Sequence, residues 1–283
     1  MNFGKGENML KQYINERLST LEGHAGVYYK NLKTGETVLT EGQDQFLAAS
    51  IIKIWIMAEA FRQMEEGTIK KDQKIILRDS DKVPNNKMPD YFAEKTRGIL
   101  SEDMFPESGV LNYLHAESEW TVEDLCRLMI IISDNTATNI LIRLLGMTNI
   151  NELIQSLNMS KTRLNRSLFD TSKKIENTIS LEETGLFLEK LYREELISSK
   201  ASQEMSAILQ NQQNNSKIPF FLPQIPIAHK TGEDNGIAND VGIIYSDIPF
   251  ILCFAANDSY TPAANQACQD IAKAAYQYSM GLV

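Results

Sequence analysis

The chain has 283 residues, 43% of them hydrophobic and 23% charged, ordinary proportions for a globular protein with a sizeable core. A net charge of −9 and a pI near 5.0, with no Lys/Arg cluster, argue against a nucleic-acid partner. Its histidines (His24, His115, His229) are scattered without HExxH spacing, so no metal site is expected and no cofactor is called for.

The N-terminal run MNFGKGENMLKQYINERL has no apolar core of signal-peptide type, and no stretch reaches membrane-spanning length. As written, the chain is expected to be soluble and unexported. Leu10, Tyr13, Ile14, Leu18 and Leu21 recur at helical spacing and predict an amphipathic helix over residues 7–21. HAGVYYKNLKTGETVLTEG then reads as a hairpin around a turn at Asn31–Gly35. From residue 47 to about 212 helical patterns dominate, with an irregular, turn-rich stretch between residues 78 and 118. After Pro219, IPIAHKTG, GIANDVGIIYS and PFILCFAAND read as three strands, and a closing helix over 262–280 begins at Pro262. Cys126, Cys253 and Cys268 each lie among apolar residues and are expected as buried free thiols. The predicted fold is α+β: one antiparallel sheet of about five strands assembled from both ends of the chain, flanked by the terminal helices, plus an all-helical lobe. Residues 1–46 and 216–283 would form the first lobe and 47–215 the second, with a candidate site in the cleft between them.

Three short motifs carry chemistry. Ser50 and Lys53, in LAASIIKIWIMAEAF, share a helix face at i and i+3, where a desolvated amine can act as base toward a hydroxyl. The bland alternative is a serine N-cap and a snorkelling lysine. Ser133-Asp134-Asn135 opens the helix TATNILIRLL, either as a simple cap or as a turn projecting a hydroxyl and an amide into a cleft. Lys230-Thr231-Gly232 ends a strand, where it could hold a carboxylate; the same tripeptide at Lys33-Thr34-Gly35 sits in a hairpin turn, so alone it says little.

Taken together and in this order, S-x-x-K, S-D-N and K-T-G resemble the motif set of serine β-lactamases and penicillin-binding proteins. TVEDLCRLMIIISDNTATNILIRLLG, FLAASIIK and TRLNR are similar to class A β-lactamase segments, and the resemblance runs from about Phe46 to the last helix. It implies a β-lactamase/transpeptidase-like fold and a monomeric serine hydrolase that takes a small-molecule or peptide amide, a β-lactam or a cell-wall peptide. Ser50 would be the nucleophile, Lys53 its base, and Ser133 the proton relay to the leaving nitrogen. Asn135 would hold a side-chain amide, and Lys230 and Thr231, beside Gly232, a carboxylate. The backbone N–H groups of Ser50 and Glu233 would form the oxyanion hole. The family usually works outside the cytoplasm, which leaves the compartment open.

Three departures limit the resemblance. In TRLNRSLFDTSKKIEN the position of the class A deacylation glutamate, aligned through Arg166, is Leu168, and no E-x-x-L-N follows. Asp170 or Glu176 are the substitute bases to weigh, Glu176 against an ion pair with Arg166. No arginine follows Arg193, so the late strands supply no guanidinium for a substrate carboxylate. Residues 84–108 form an insertion at the rim, either a lid or a surface excursion. The resemblance therefore predicts β-lactam hydrolysis that is slow for want of a base, with a D-Ala-D-Ala carboxypeptidase-type amidase or a non-hydrolysing penicillin-binding sensor as alternatives. A serine-dependent glutaminase also uses S-x-x-K, but the S-D-N neighbourhood speaks against it.

Overall fold

The computed structural model describes residues 6–40, 45–83, 109–170, 172 and 174–282. The insertion expected at 84–108 lies outside them.

Helix α1 (Gly6–Leu18) is shorter than its periodicity suggests, because Ser19 and Thr20 turn their hydroxyls back onto the carbonyls of Glu16 and Arg17, each at 2.8 Å. Carbonyls that a further turn would have bonded are satisfied by side chains instead, and the chain leaves the helix before Leu21. Strands β1 (His24–Asn31) and β2 (Thr37–Leu39) form the expected hairpin. Its turn is fixed by Asn31 Oδ1, which accepts the N–H groups of Lys33 (2.9 Å) and Thr34 (3.0 Å).

The late strands β7 (Ile227–Asp234), β8 (Ile237–Ile244) and β9 (Phe250–Asn257) complete an antiparallel sheet in the order β2-β1-β9-β8-β7. All eight residues of β8 and of β9 are buried, so both faces of the sheet are covered. One face packs Val27, Tyr29, Leu252 and Phe254 against Leu10 and Ile14 of α1 and Ile271 of the closing helix α8 (Thr261–Ser279). The opposite face meets the helical part of the chain, which shares a second core cluster with Tyr28, Val241 and Cys253.

That helical part is centred on α2 (Lys53–Glu65), whose residues Ile54 to Ala58 are fully buried. A helix enclosed on all sides needs no polar face, which is why its sequence is an apolar run without amphipathic period. Around it stand α3 (Val122–Ile131), α4 (Asn135–Leu145), α5 (Met147–Ser156), α6 (Leu181–Tyr192) and α7 (Ser199–Leu209). Two small ribbons that the sequence reading passed over tie this region together. Strand β3 (Gln45–Leu47) pairs with β6 (Thr178–Ser180), and β4 (Lys74–Ile76) with β5 (Glu119–Thr121). All three cysteines are buried, and none of them forms a disulfide. Among the described residues no helix is long and apolar enough to cross a membrane.

Candidate active site

Ser50 lies on a single 3₁₀ turn, Ala49–Ile52, that leads into α2. The helix itself begins at Lys53 with Ile52 in the capping position and no side-chain cap, so Ser50 is not an N-cap. The turn opens with Ala49 at φ +42°, a left-handed conformation that costs a non-glycine residue about 1 kcal/mol or more and places the next side chain at the cleft wall. Ser50 is half-buried there.

Lys53 does not snorkel; it is fully buried. Its Nζ lies within hydrogen-bond distance of Ser133 O (2.7 Å), Ser133 Oγ (2.9 Å) and Asn135 Oδ1 (2.8 Å). Burial pushes its pKa well below the ordinary lysine value, the nearby Lys230 pushes the same way, and Asp134 opposes both.

The S-D-N turn divides its labour. Asp134, 1% exposed, caps α4 by accepting from Ala137 N (2.8 Å), and its other oxygen takes Val110 N (2.7 Å) and Leu111 N (2.9 Å). The capping role weighed for this motif thus belongs to Asp134. Ser133, held at φ +60°, and Asn135 project the opposite way, onto Lys53. Gly109 sits against this turn at φ +115°, where a Cβ would come within 2.2 Å of Asp134 Oδ2, so only glycine fits.

Strand β7 is an edge strand and brings Lys230 and Thr231 to the same place. Lys230 is fully buried and donates to Thr231 O (2.8 Å) and to Ser133 Oγ (3.1 Å). Burial lowers its pKa to about 7, helped by Lys217 and opposed by Asp240 and Glu233. Gly232 allows the strand to approach the serine turn: a Cβ there would meet Ile51 Cγ1 at 3.0 Å and Ala48 O at 3.1 Å.

Ser133 Oγ therefore receives hydrogen bonds from two lysines. Their protons fill both lone pairs of the hydroxyl, so its own proton is left to point elsewhere. Ser50, Ser133, Thr231, Glu233, Asn214 and Gln212 line one cleft of about 290 Å³. A larger hollow of about 390 Å³, between α1 and α8, is lined by Tyr13, Asp270 and Lys273 and by none of the motif residues. Chemistry rather than size picks out the smaller one.

The loop after Leu164 is closed at its neck by two asparagines and an ion pair. Asn177 Oδ1 accepts from Asn165 N (2.7 Å) and Arg166 N (3.0 Å), and Arg166 pairs with Glu176 at 2.5 Å. Asp170 accepts from the backbone and hydroxyl of Ser172, at 3.1 and 2.5 Å. Leu168, half-buried, is pinned by Asn139, which bonds its carbonyl (3.0 Å) and its N–H (2.9 Å). The structure thus gathers Ser50, Lys53, Ser133, Asn135, Lys230, Thr231 and Glu233 at one place, and holds Asp170 and Glu176 in contacts of the loop itself.

A profile described as the beta-lactamase enzyme family matches residues 9–279. The chain belongs to that family. Among solved structures, the beta-lactamase of Sphaerobacter thermophilus is 31% identical, with a TM-score of 0.83 and 97% of each chain covered. Beta-lactamase VEB-1 of Pseudomonas aeruginosa is 25% identical over 94% of this chain and 88% of its own length. PBP-A, at 24% identity and a TM-score of 0.82 over 97% of both chains, shares the fold; a leucine-to-glutamate variant of it has been solved as an acyl-enzyme complex with penicillin G. The α+β, β-lactamase/transpeptidase-like architecture expected from the motifs is the one found, and the chain is a β-lactamase-like serine hydrolase.

Three polar residues of this β-lactamase-family site gave no motif. Asn139 stands one turn after Asn135 on α4, an i, i+4 repeat that was there to be read. Asn214 donates to Glu233 Oε1 at 3.0 Å. Lys217, fully buried, forms an ion pair with the same oxygen, yet in NNSKIPFF it is a lone lysine with no pattern around it.

Proposed function

We propose that this enzyme is of the class A β-lactamase type, is acylated at Ser50 by β-lactams or related amides, and releases the acyl group slowly. The observation that carries this reading is the convergence of Lys53 and Lys230 on Ser133 Oγ beside Ser50. Lys53, which burial biases toward the neutral amine, turns its lone pair from these contacts to the Ser50 hydroxyl and takes its proton as the oxygen attacks the carbonyl. The backbone N–H groups of Ser50 and Glu233 stabilise the oxyanion. Ser133 gives its proton to the leaving nitrogen and recovers one through the lysines that bond it. Asn135 holds a side-chain amide, while Lys230 and Thr231 are the groups available to a substrate carboxylate.

Deacylation is the weak step. Leu168 stands at the aligned position of the class A glutamate and has no group to activate water. Glu176 is engaged by Arg166 and Asp170 by Ser172, which favours a second reading: a penicillin-binding or carboxypeptidase-type protein on which β-lactams form a lasting acyl-enzyme. Incubation with a chromogenic cephalosporin and a labelled penicillin, followed by turnover and intact mass, separates the two. Sustained turnover marks a lactamase; a stoichiometric burst with a persistent mass increase marks the second reading. Ser50→Ala is expected to abolish both signals, and a Ser50→Ala protein that still gains mass would mean the nucleophile lies elsewhere.

A further inference from the structure

Glu233 is the one carboxylate among the described residues lining the cleft. It shares a strand face with Thr231, two residues before it, so its side chain borders the space beside the Lys230–Thr231 pair. Its side chain is 49% exposed, whereas Lys217, its ion-pair partner, is 0% exposed. The carboxylate is therefore the outer member of the pair, and a ligand entering along this wall meets the anion before the cation.

The carboxylate is also fixed in place. Asn214 donates to Glu233 Oε1 and is itself held by Gln212 Oε1, which accepts from its N–H at 3.0 Å, and by Ser216, whose hydroxyl donates to Asn214 Oδ1 at 2.7 Å. Gln212 and Gln213 are anchored in turn to the carbonyls of Ile130 and Ile131 at the end of α3, at 2.7 and 3.0 Å. Burial works against its ionisation, but Lys217, Asn214 and Lys230 outweigh that and hold its pKa below the ordinary carboxylate value. Lys217 is already committed to Glu233, and Lys230 to Ser133 and Thr231.

We infer that Glu233 is a specificity-determining residue that selects against a free carboxylate on the leaving side of the substrate. It favours amides whose leaving group there is amidated, esterified or extended along a chain. The inference rests on acylation at Ser50, the reading given above. A fixed charge one or two side-chain lengths from the ligand's own charge, in a half-solvated cleft, changes relative rates on the order of tenfold.

The test compares benzylpenicillin with its methyl ester, which differ only in that carboxylate, by the second-order rate of acylation at Ser50 read from intact mass. Glu233→Gln is expected to raise the acid-to-ester rate ratio on the order of tenfold. Glu233→Asp, which keeps the charge, should leave the ratio within about twofold of the wild-type value. Because Glu233→Gln strands a buried lysine, the double variant Glu233→Gln, Lys217→Met is made as well; it leaves neither charge unpaired and should also raise the ratio. A ratio unchanged in both Gln-containing proteins overturns the inference while leaving the acyl-enzyme intact. A ratio that falls in the double variant overturns it too, by showing that the incoming carboxylate feels Lys217 rather than Glu233. Absence of acylation by either compound in the wild-type protein overturns the acyl-enzyme reading, and this inference with it.

Discussion

Restoring a base at residue 168 is the most direct test of why release should be slow. Leu168 is half-buried, and its backbone is held on both sides by Asn139, so Leu168→Glu changes the side chain without freeing the loop. Losing part of a leucine's burial costs about 1 kcal/mol, a tolerable fraction of a domain's stability. General base catalysis contributes about 10²–10⁴-fold, or roughly 3–5 kcal/mol off the barrier. The lower end is expected, about 10²-fold faster deacylation, because the other groups of this loop are not arranged around a carboxylate. The assay is to acylate with benzylpenicillin, remove the excess, and follow the acyl-enzyme by intact mass. Adding Asn139→Ala to the variant removes two hydrogen bonds worth about 1 kcal/mol each and should take back most of the gain, since the new carboxylate loses its aim. A Leu168→Glu protein that is folded and fully acylated, yet keeps the wild-type acyl-enzyme lifetime, would refute the idea that a base missing at this position limits release.

Ser133→Gly removes the hydroxyl that Lys53 and Lys230 share, and acylation should fall about 10²-fold or more. The left-handed strain it relieves, about 1 kcal/mol, is offset by the buried donors it strands, about 1–3 kcal/mol each, so thermal melting should show no gain in stability. Gly232→Ala pushes the strand away from Ile51 and Ala48, and the acylation rate should drop about tenfold or more, with the expected change in position visible in a crystal structure. For Lys230, the folded pKa of about 7 lies below its ordinary 10.5. Between these values the unfolded chain binds more protons than the native one, so the wild-type protein gains stability as pH rises from 7 toward 10.5. Lys230→Met removes that contribution, and the stability difference between the two proteins should shift in favour of wild type by up to about 1 kcal/mol per pH unit in denaturant titrations at pH 7, 8 and 9. A difference that does not change with pH would mean Lys230 keeps an ordinary affinity for its proton.

Much of the architecture was legible because it rests on strong local signals. The late strands are continuous apolar runs, as strands covered on both faces must be, and Pro262 marks the start of the last helix. The ribbons β3–β6 and β4–β5 were not legible, since three residues are too few to show an alternation. Leu21 continued a helical period that Ser19 and Thr20 had already ended through side-chain bonds. At the site, the motif residues were readable because each combines a reactive side chain with fixed spacing. Lys217 was not, because its significance depends on Glu233, which only the pairing of distant segments brings to it.

The sheet carries a consequence for the order in which the molecule can mature. Strand β1 is paired along its whole length with β9, Tyr28 opposite Cys253, and the wall opposite Ser50 comes from β7. The chain therefore presents Ser50, the proposed nucleophile, early in synthesis but cannot raise the facing wall until its last quarter has emerged. Contacts of such long sequence separation form slowly. A partly made or nicked chain would expose Ser50 and Lys53 without the strand that completes the cleft, and so would be chemically silent toward amides. On the proposed reading, acylation of Ser50 is in this sense a report that folding has finished.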